Sequence, residues 1–317
     1  MVQSSARASL PTRHGKFCYA APETVNWYTM TTKFISILEL IRFNKPIGTY
    51  LLLWPTLGAL WIAAEGVPNY LLLAIFIAGT FLMRSAGCII NDIADRNVDG
   101  AVTRTQGRPL VTGALTINEA TCLFLGFCLA AFVLVLFTNT LTIALSLGGV
   151  LIASAYPFAK RYTDLPQLVL GAAFSFGIPM AFSAQREELP SALWLLFVGN
   201  LLWTVAYDTQ YAMVDRQDDT KIGIKSTAIL FGDADRLIIG ILQGLFLLTM
   251  FMAGRRFELG LTYNLSLLIA AGLFVYHQYL IKNRDTEACF KAFRHNNWVG
   301  LIIFMSVVLH YQLNSPK

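Results

Sequence analysis

The residues of this 317-residue chain best suited to chemistry are aspartates gathered in two short stretches. One is Asn91-Asp92-Ile93-Ala94-Asp95-Arg96-Asn97-Val98-Asp99; the other is Asp215-Arg216-Gln217-Asp218-Asp219, with Asp208 shortly before it. Seven of the eleven aspartates lie within 92–99 or 208–219. Asp95 and Asp99 are four residues apart, and so are Asp215 and Asp219, a spacing that places both carboxylates of a pair on one helix face. The pairs are offset by 120 residues, from Asp95 to Asp215 and again from Asp99 to Asp219, which suggests a duplicated unit of two helices ending in an acidic segment. Four carboxylates meeting over one cavity repel each other unless cations join them. Hard oxygen ligands suit Mg2+, which commonly bridges one or two carboxylates to substrate phosphates. Basic residues accompany both stretches: Arg104 and Arg108, Lys160-Arg161, then Lys221 and Lys225. Acids, magnesium and nearby Arg and Lys together suit a diphosphate, whose charge the metal neutralises while the basic groups hold its outer oxygens.

The rest of the chain must hold these groups in place, and it is mostly lipid-soluble. Hydrophobic residues make up 56% and charged residues only 14%, against about 25% charged in a soluble domain; mean hydropathy is +0.56. The reading is an all-α membrane protein. An amphipathic lead-in over 31–45 precedes nine expected spans: 46–64, 69–90, 118–137, 140–158, 165–184, 191–209, 237–253, 259–281 and 298–313. With the N-terminus inside, sixteen Lys and Arg from residue 31 onward fall on the inner side and four on the outer, so both aspartate stretches face the cytoplasm or matrix. Arg84 is the exception, within the second span, where an arginine costs about 2.5–3.5 kcal/mol and usually faces a polar interior. It precedes Asn91 by seven residues, two helical turns on the same face, and Asp208 precedes Asp215 by the same interval. Both are expected to point into the cavity onto which the acids open. In a membrane protein, the natural diphosphate with a greasy partner is a polyprenyl diphosphate.

Residues 1–29 carry Arg7, Arg13, His14 and Lys16 with no acid before Glu23. They are weakly like a mitochondrial transit peptide, but the reading adopted is an upstream extension, disordered or processed, ahead of a single polytopic domain over 30–317. The five cysteines (Cys18, Cys88, Cys122, Cys128, Cys289) have no CxxC spacing and read as small core residues. No nucleic-acid partner is expected.

At this point the motifs carry a resemblance. NDIADRNVDG…TRTQGRPLVTGAL and YDTQYAMVDRQDDTKIGIKSTAILFG resemble the two signature segments of the UbiA superfamily of intramembrane aromatic prenyltransferases. IRFNKPIGTYLLLWPTLGALW, GTFLMRSAGCIIND and YPFAKRYTDLPQ are similar to its 4-hydroxybenzoate polyprenyltransferase branch. The resemblance runs from about Thr31 to the C-terminus. It implies nine transmembrane helices around a central cavity open to lipid. It also implies Mg2+ held on the diphosphate by Asp95, Asp99, Asp215 and Asp219, with Asn91, Arg104, Lys160 and Arg161 on the diphosphate or its metal shell. Arg84 is assigned to the carboxylate of the aromatic acid, Asp208 to its phenol side, and Arg42 to the cavity entrance. Asp92 and Asp218 are expected to support the ligand acids or to be solvated.

The implied reaction is ionisation of an allylic diphosphate and attack of the allylic cation on the ring carbon ortho to the hydroxyl of 4-hydroxybenzoate, as in ubiquinone biosynthesis. A ring proton is then lost to Asp208 or to released diphosphate. The expected setting is a bacterial inner membrane with the site on the cytoplasmic side, the alternative a mitochondrial inner membrane. Two rivals stand beside this reading: a UbiA-type enzyme with another aromatic acceptor, and a cation transporter. A transporter predicts acids near the midplane spread over several spans, whereas these cluster at span ends beside basic loops.

Overall fold

The computed structural model describes residues 27–314, with side chains from Thr32 onward, so most of the expected extension lies outside the described residues. Every regular element among them is helical. In chain order they are α1 (Trp27–Leu40), α2 (Ile47–Ala64), α3 (Tyr70–Asp95), α4 (Pro109–Thr112), α5 (Ile117–Val135), α6 (Thr140–Tyr162), α7 (Pro166–Ser175), α8 (Gly177–Arg186), α9 (Leu193–Ile222), α10 (Thr227–Phe231), α11 (Asp235–Arg256), α12 (Leu261–Leu280) and α13 (Thr286–Asn314). Among the described residues, eight segments are long and apolar enough to cross a membrane, α7 and α8 counting as one and α10 and α11 as another. The remaining expected span, 191–209, falls in α9, which is 30 residues long. Asn200, Asp208 and Gln210 dilute its hydropathy, because α9 is the helix most enclosed by protein.

Local signals set the helix starts. Asn69 accepts from the N–H groups of Leu71 and Leu72 to cap α3, Thr116 and Glu119 form a reciprocal capping box on α5, and Asn139 caps α6. The fifth expected span is broken into α7 and α8. Pro179 has no N–H to give the carbonyl of Ser175, so the helix breaks there. Gly177 lets the new helix close on α2, where a Cβ would collide with the Thr56 side chain.

Two elements differ from expectation at the motifs. Asp99 does not share a helix face with Asp95: α3 ends at Asp95, and Asp99 opens a separate 3₁₀ turn over Asp99–Ala101. The second stretch does not follow a span that ends near 209 but continues it as the end of α9, so Asp208, Asp215 and Asp219 all ride one helix.

α9 packs against α7, α11 and α13, and α13 also packs on α2 and α12. Trp203 of α9 is 2% exposed, stacks on Phe246 at 5.7 Å and donates its indole N–H to Asn296 of α13 at 2.9 Å. α11 and α12 turn Leu237, Leu268 and Val275 outward, 67%, 70% and 71% exposed, an apolar belt suited to lipid. Cys122 of α5 is exposed, not in the core as expected, while Cys88 and Cys289 are buried.

Candidate active site

A cavity of about 2160 Å3 is walled by α2, α3, α5, α6, α7, α9 and the first half of α13. Asp95, Asp99, Asp215 and Asp219 all line it, together with Asn91, Arg42, Arg84, Arg104, Lys160 and Asp208. The helical spacing explains why. α3 presents Arg84, Asn91 and Asp95 at intervals of seven and four residues, and α9 presents Asp208, Asp215 and Asp219 at the same intervals. Each set is a stripe along one helix face, its first member about 10 Å deeper than its second.

The acids are paired with cations. Lys160 Nζ lies 3.0 Å from Asp95 Oδ2 and 3.3 Å from Asn91 Oδ1. Arg108 Nη1 reaches Asp99 Oδ2 at 2.5 Å. Arg104 crosses from the first motif's loop to the second motif, Nε 3.0 Å from Asp215 Oδ1 and Nη2 2.5 Å from Oδ2. The backbone N–H of Thr103 donates to Asp218 in the same direction, at 3.3 Å. Asp219 makes no ion pair among the described residues and lines the same cavity as the other three acids. Burial lifts the Asp99 carboxyl above its ordinary range, and the negative charges of Asp95 and Asp92 add to the lift while Arg108 opposes it.

Among the described residues, no three acidic, His or Cys side chains form a group able to hold a metal ion by themselves. The donor set nevertheless fits Mg2+, which needs one or two carboxylates and completes its octahedron with phosphate oxygens and water.

A model of the UbiA prenyltransferase family matches residues 52–306. The chain belongs to that family. It is 59% identical over 275 residues to a Saccharophagus degradans protein named 4-hydroxybenzoate octaprenyltransferase, covering 87% of this chain and 92% of that one. An Ectopseudomonas mendocina protein of the same name is 61% identical over 276 residues, covering 87% and 93%. Among solved structures, an apo UbiA homolog from Aeropyrum pernix K1 is 25% identical with a TM-score of 0.73, covering 83% of this chain and 97% of that one. A UbiA homolog from Archaeoglobus fulgidus, described as bound to GPP and Mg2+, shares the fold at 16% identity and TM-score 0.67, covering 86% and 99%.

In this UbiA-family chain the deeper part of the cavity holds two charges of another kind. Arg84 makes no ion pair among the described residues; its only hydrogen bond there is from Nη1 to Cys88 Sγ, 2.8 Å away. Gly48 of α2 leaves it room, since a Cβ on that residue would collide with the guanidinium. Asp208 is 8% exposed, also without an ion pair, and feels the charges of Lys160, Arg84 and Arg104. Arg42 lies at the mouth with its guanidinium on Asp92, Nη2 to Oδ1 2.7 Å. Asp92 is 1% exposed, so it is not solvated. Asp218 is partly exposed and pairs with Lys221. Arg161 alone of the expected residues is absent from the cavity wall: its Nη2 donates to the Ala94 carbonyl at 2.5 Å and ties the end of α6 to the end of α3.

The site also contains side chains that motif spacing did not single out. Tyr211 lies under Arg104, ring centroid 4.8 Å from Cζ, and Tyr156 lies 5.4 Å from Lys160 Nζ. A signal for both was present: each precedes a site residue by four, Tyr156 before Lys160 and Tyr211 before Asp215.

Proposed function

We propose that this protein transfers a polyprenyl chain from polyprenyl diphosphate to the ring carbon ortho to the hydroxyl of 4-hydroxybenzoate. The observation that carries the reading is the pair of parallel stripes, with acids near the mouth for the diphosphate and an unpaired arginine about 10 Å deeper for a carboxylate. The names of the relatives at about 60% identity agree with it.

Asp95, Asp99, Asp215 and Asp219 would hold Mg2+ beside the diphosphate. The metal, when bound, neutralises charge on the leaving group. Lys160 and Arg104 are held on Asp95 and Asp215 in the free protein, and each would exchange its carboxylate for a diphosphate oxygen when the substrate binds. Asn91 donates its amide to the same anion. Arg161 acts from behind, keeping α6 and Lys160 in register with α3.

Arg84 takes the acceptor's carboxylate, and Asp208 accepts a hydrogen bond from its phenol. The allylic C–O bond breaks with its electron pair leaving on diphosphate, and the ring carbon ortho to the hydroxyl forms the new C–C bond. The proton on that carbon passes to Asp208 or to diphosphate, restoring aromaticity. Tyr156 and Tyr211 offer ring faces to the cation, and the apolar spans exclude the water that would quench it.

The expected setting is a bacterial inner membrane with the acidic mouth on the cytoplasmic side, supported by the distribution of basic residues. The test is incubation of membranes carrying the protein with labelled 4-hydroxybenzoate and a polyprenyl diphosphate, with and without Mg2+. A lipid-soluble labelled product that requires the metal is expected; its absence refutes the assignment.

A further inference from the structure

Asp92 lies in the first motif, yet it is the acid least available to a ligand. It is 1% exposed, and a carboxylate so buried is costly unless fully paired. Two arginines pair it. Arg42 Nη2 spans both oxygens at 2.7 and 2.8 Å, and Arg108 Nη1 approaches Oδ1 at 3.0 Å. That same Arg108 nitrogen reaches Asp99 at 2.5 Å. Arg42 is fixed from its other side as well: its backbone is left-handed at φ 58°, and its Nη1 donates to the Glu39 carbonyl at 2.8 Å.

We propose that Asp92 is a positioning residue for the diphosphate site, holding Arg108 on Asp99 and drawing the turn after α1 onto the end of α3 through Arg42. The inference rests on reading the cavity as a diphosphate site. Asp99 needs such a brace because it stands outside α3, on a 3₁₀ turn with no long helix to hold it.

The second motif has a matching device. Arg216, next to Asp215, and Arg284 both meet Asp235, which is fully buried, at 2.9 Å each. Arg284 is left-handed too, at φ 57°. Arg42 and Arg284 thus occupy equivalent places, in the turns that lead into α2 and α13, and those helices pack on each other. A bridge of one carboxylate between two guanidiniums, repeated beside each motif, is the pattern of a brace.

The test uses the full-length protein in detergent and an unreactive prenyl thiolodiphosphate, with Mg2+-dependent binding followed by calorimetry. Supporting groups behind metal ligands typically change metal affinity 10–100-fold. Asp92→Asn is therefore expected to weaken Mg2+-dependent binding about tenfold, and Arg42→Gln to weaken it in the same sense. The double variant should bind no worse than Asp92→Asn alone, because both changes cut one path. Affinity for 4-hydroxybenzoate should be unchanged in all three. Binding of the analogue by Asp92→Asn as tightly as by the wild type overturns the proposal, and so does parallel loss of both ligands. If Asp92→Asn does not fold, wild-type binding by Arg42→Gln overturns it. Failure of the wild type to bind the analogue with Mg2+ sinks the functional reading itself, and this inference with it.

Discussion

Arg104, from the loop after the first acidic motif, forks onto Asp215 in the second, with Nε and Nη2 each on a carboxylate oxygen. The contact ties together two segments 111 residues apart and brings both motifs to one mouth. It also indicates what a substrate must displace, since Arg104 cannot hold Asp215 and a diphosphate oxygen at full strength together.

Asp95→Ala and Asp215→Ala are expected to lower turnover by about a hundredfold or more, the scale of losing a group that stabilises developing charge. Both proteins should remain inserted and folded, because the orphaned Lys160 and Arg104 are partly exposed and stay solvated. Product formation on matched amounts of folded protein is the measurement, and near-normal activity in either variant removes the metal role from that acid.

Arg84→Ala should act on the aromatic substrate. A hydrogen bond to a charged group contributes about 1.5–3 kcal/mol, so KM for 4-hydroxybenzoate should rise about 10- to 100-fold. KM for the prenyl diphosphate should hardly move. Gly48→Ala offers a second route to the same end, since the added methyl meets the guanidinium and displaces it without removing its charge. Steady-state kinetics on both substrates decides, and an unchanged KM for the acid returns Arg84 to a structural role.

Much of this was legible in the sequence, and the rest was hidden for identifiable reasons. Span positions followed from hydropathy because lipid contact demands it, and the seven-and-four stripes followed from helical periodicity. The break of Asp99 out of α3 was not legible: a four-residue spacing fits one helix as well as a helix followed by a 3₁₀ turn. Hydropathy bounds the sixth span near 209, where the acids begin, although α9 runs on to Ile222. They continue a helix whose polar face is turned to a cavity. Asp92 looked like a candidate for solvation because its main partner, Arg42, is 50 residues away, and no local pattern encodes that pairing.

Acid should weaken metal binding sooner than an ordinary carboxylate implies. Asp99 is raised by burial, then by Asp95 and Asp92, so it gains its proton at a higher pH than a free aspartate. A protonated carboxyl gives up its charge for Mg2+, and affinity falls as pH drops through that raised value. Arg108 opposes the rise, so Arg108→Gln should move the acidic limb to still higher pH. Titrations of Mg2+ with the prenyl analogue across a pH series read both shifts. Movement of the limb to lower pH in Arg108→Gln contradicts the sign.

Gly300 tests the packing that supports the mouth from below. A Cβ there comes to 2.9 Å from Trp203 Cη2 and from Trp54 Cδ1. Neither ring is free to yield: Trp203 is tied to Asn296 at 2.9 Å, and Trp54 to Asn297 at 2.8 Å while stacking on Phe304. Gly300→Ala should therefore destabilise the protein by about 1–3 kcal/mol, the usual range for overpacking. Gly244→Ala is the matched control, because that α11 glycine has open space around its Cβ position. A helix interior favours alanine there by roughly 0.5–1 kcal/mol. Thermal unfolding in detergent should lower the melting temperature of the first variant and hold or raise that of the second; equal shifts in both would mean that the α2–α9–α13 junction is looser than these contacts require.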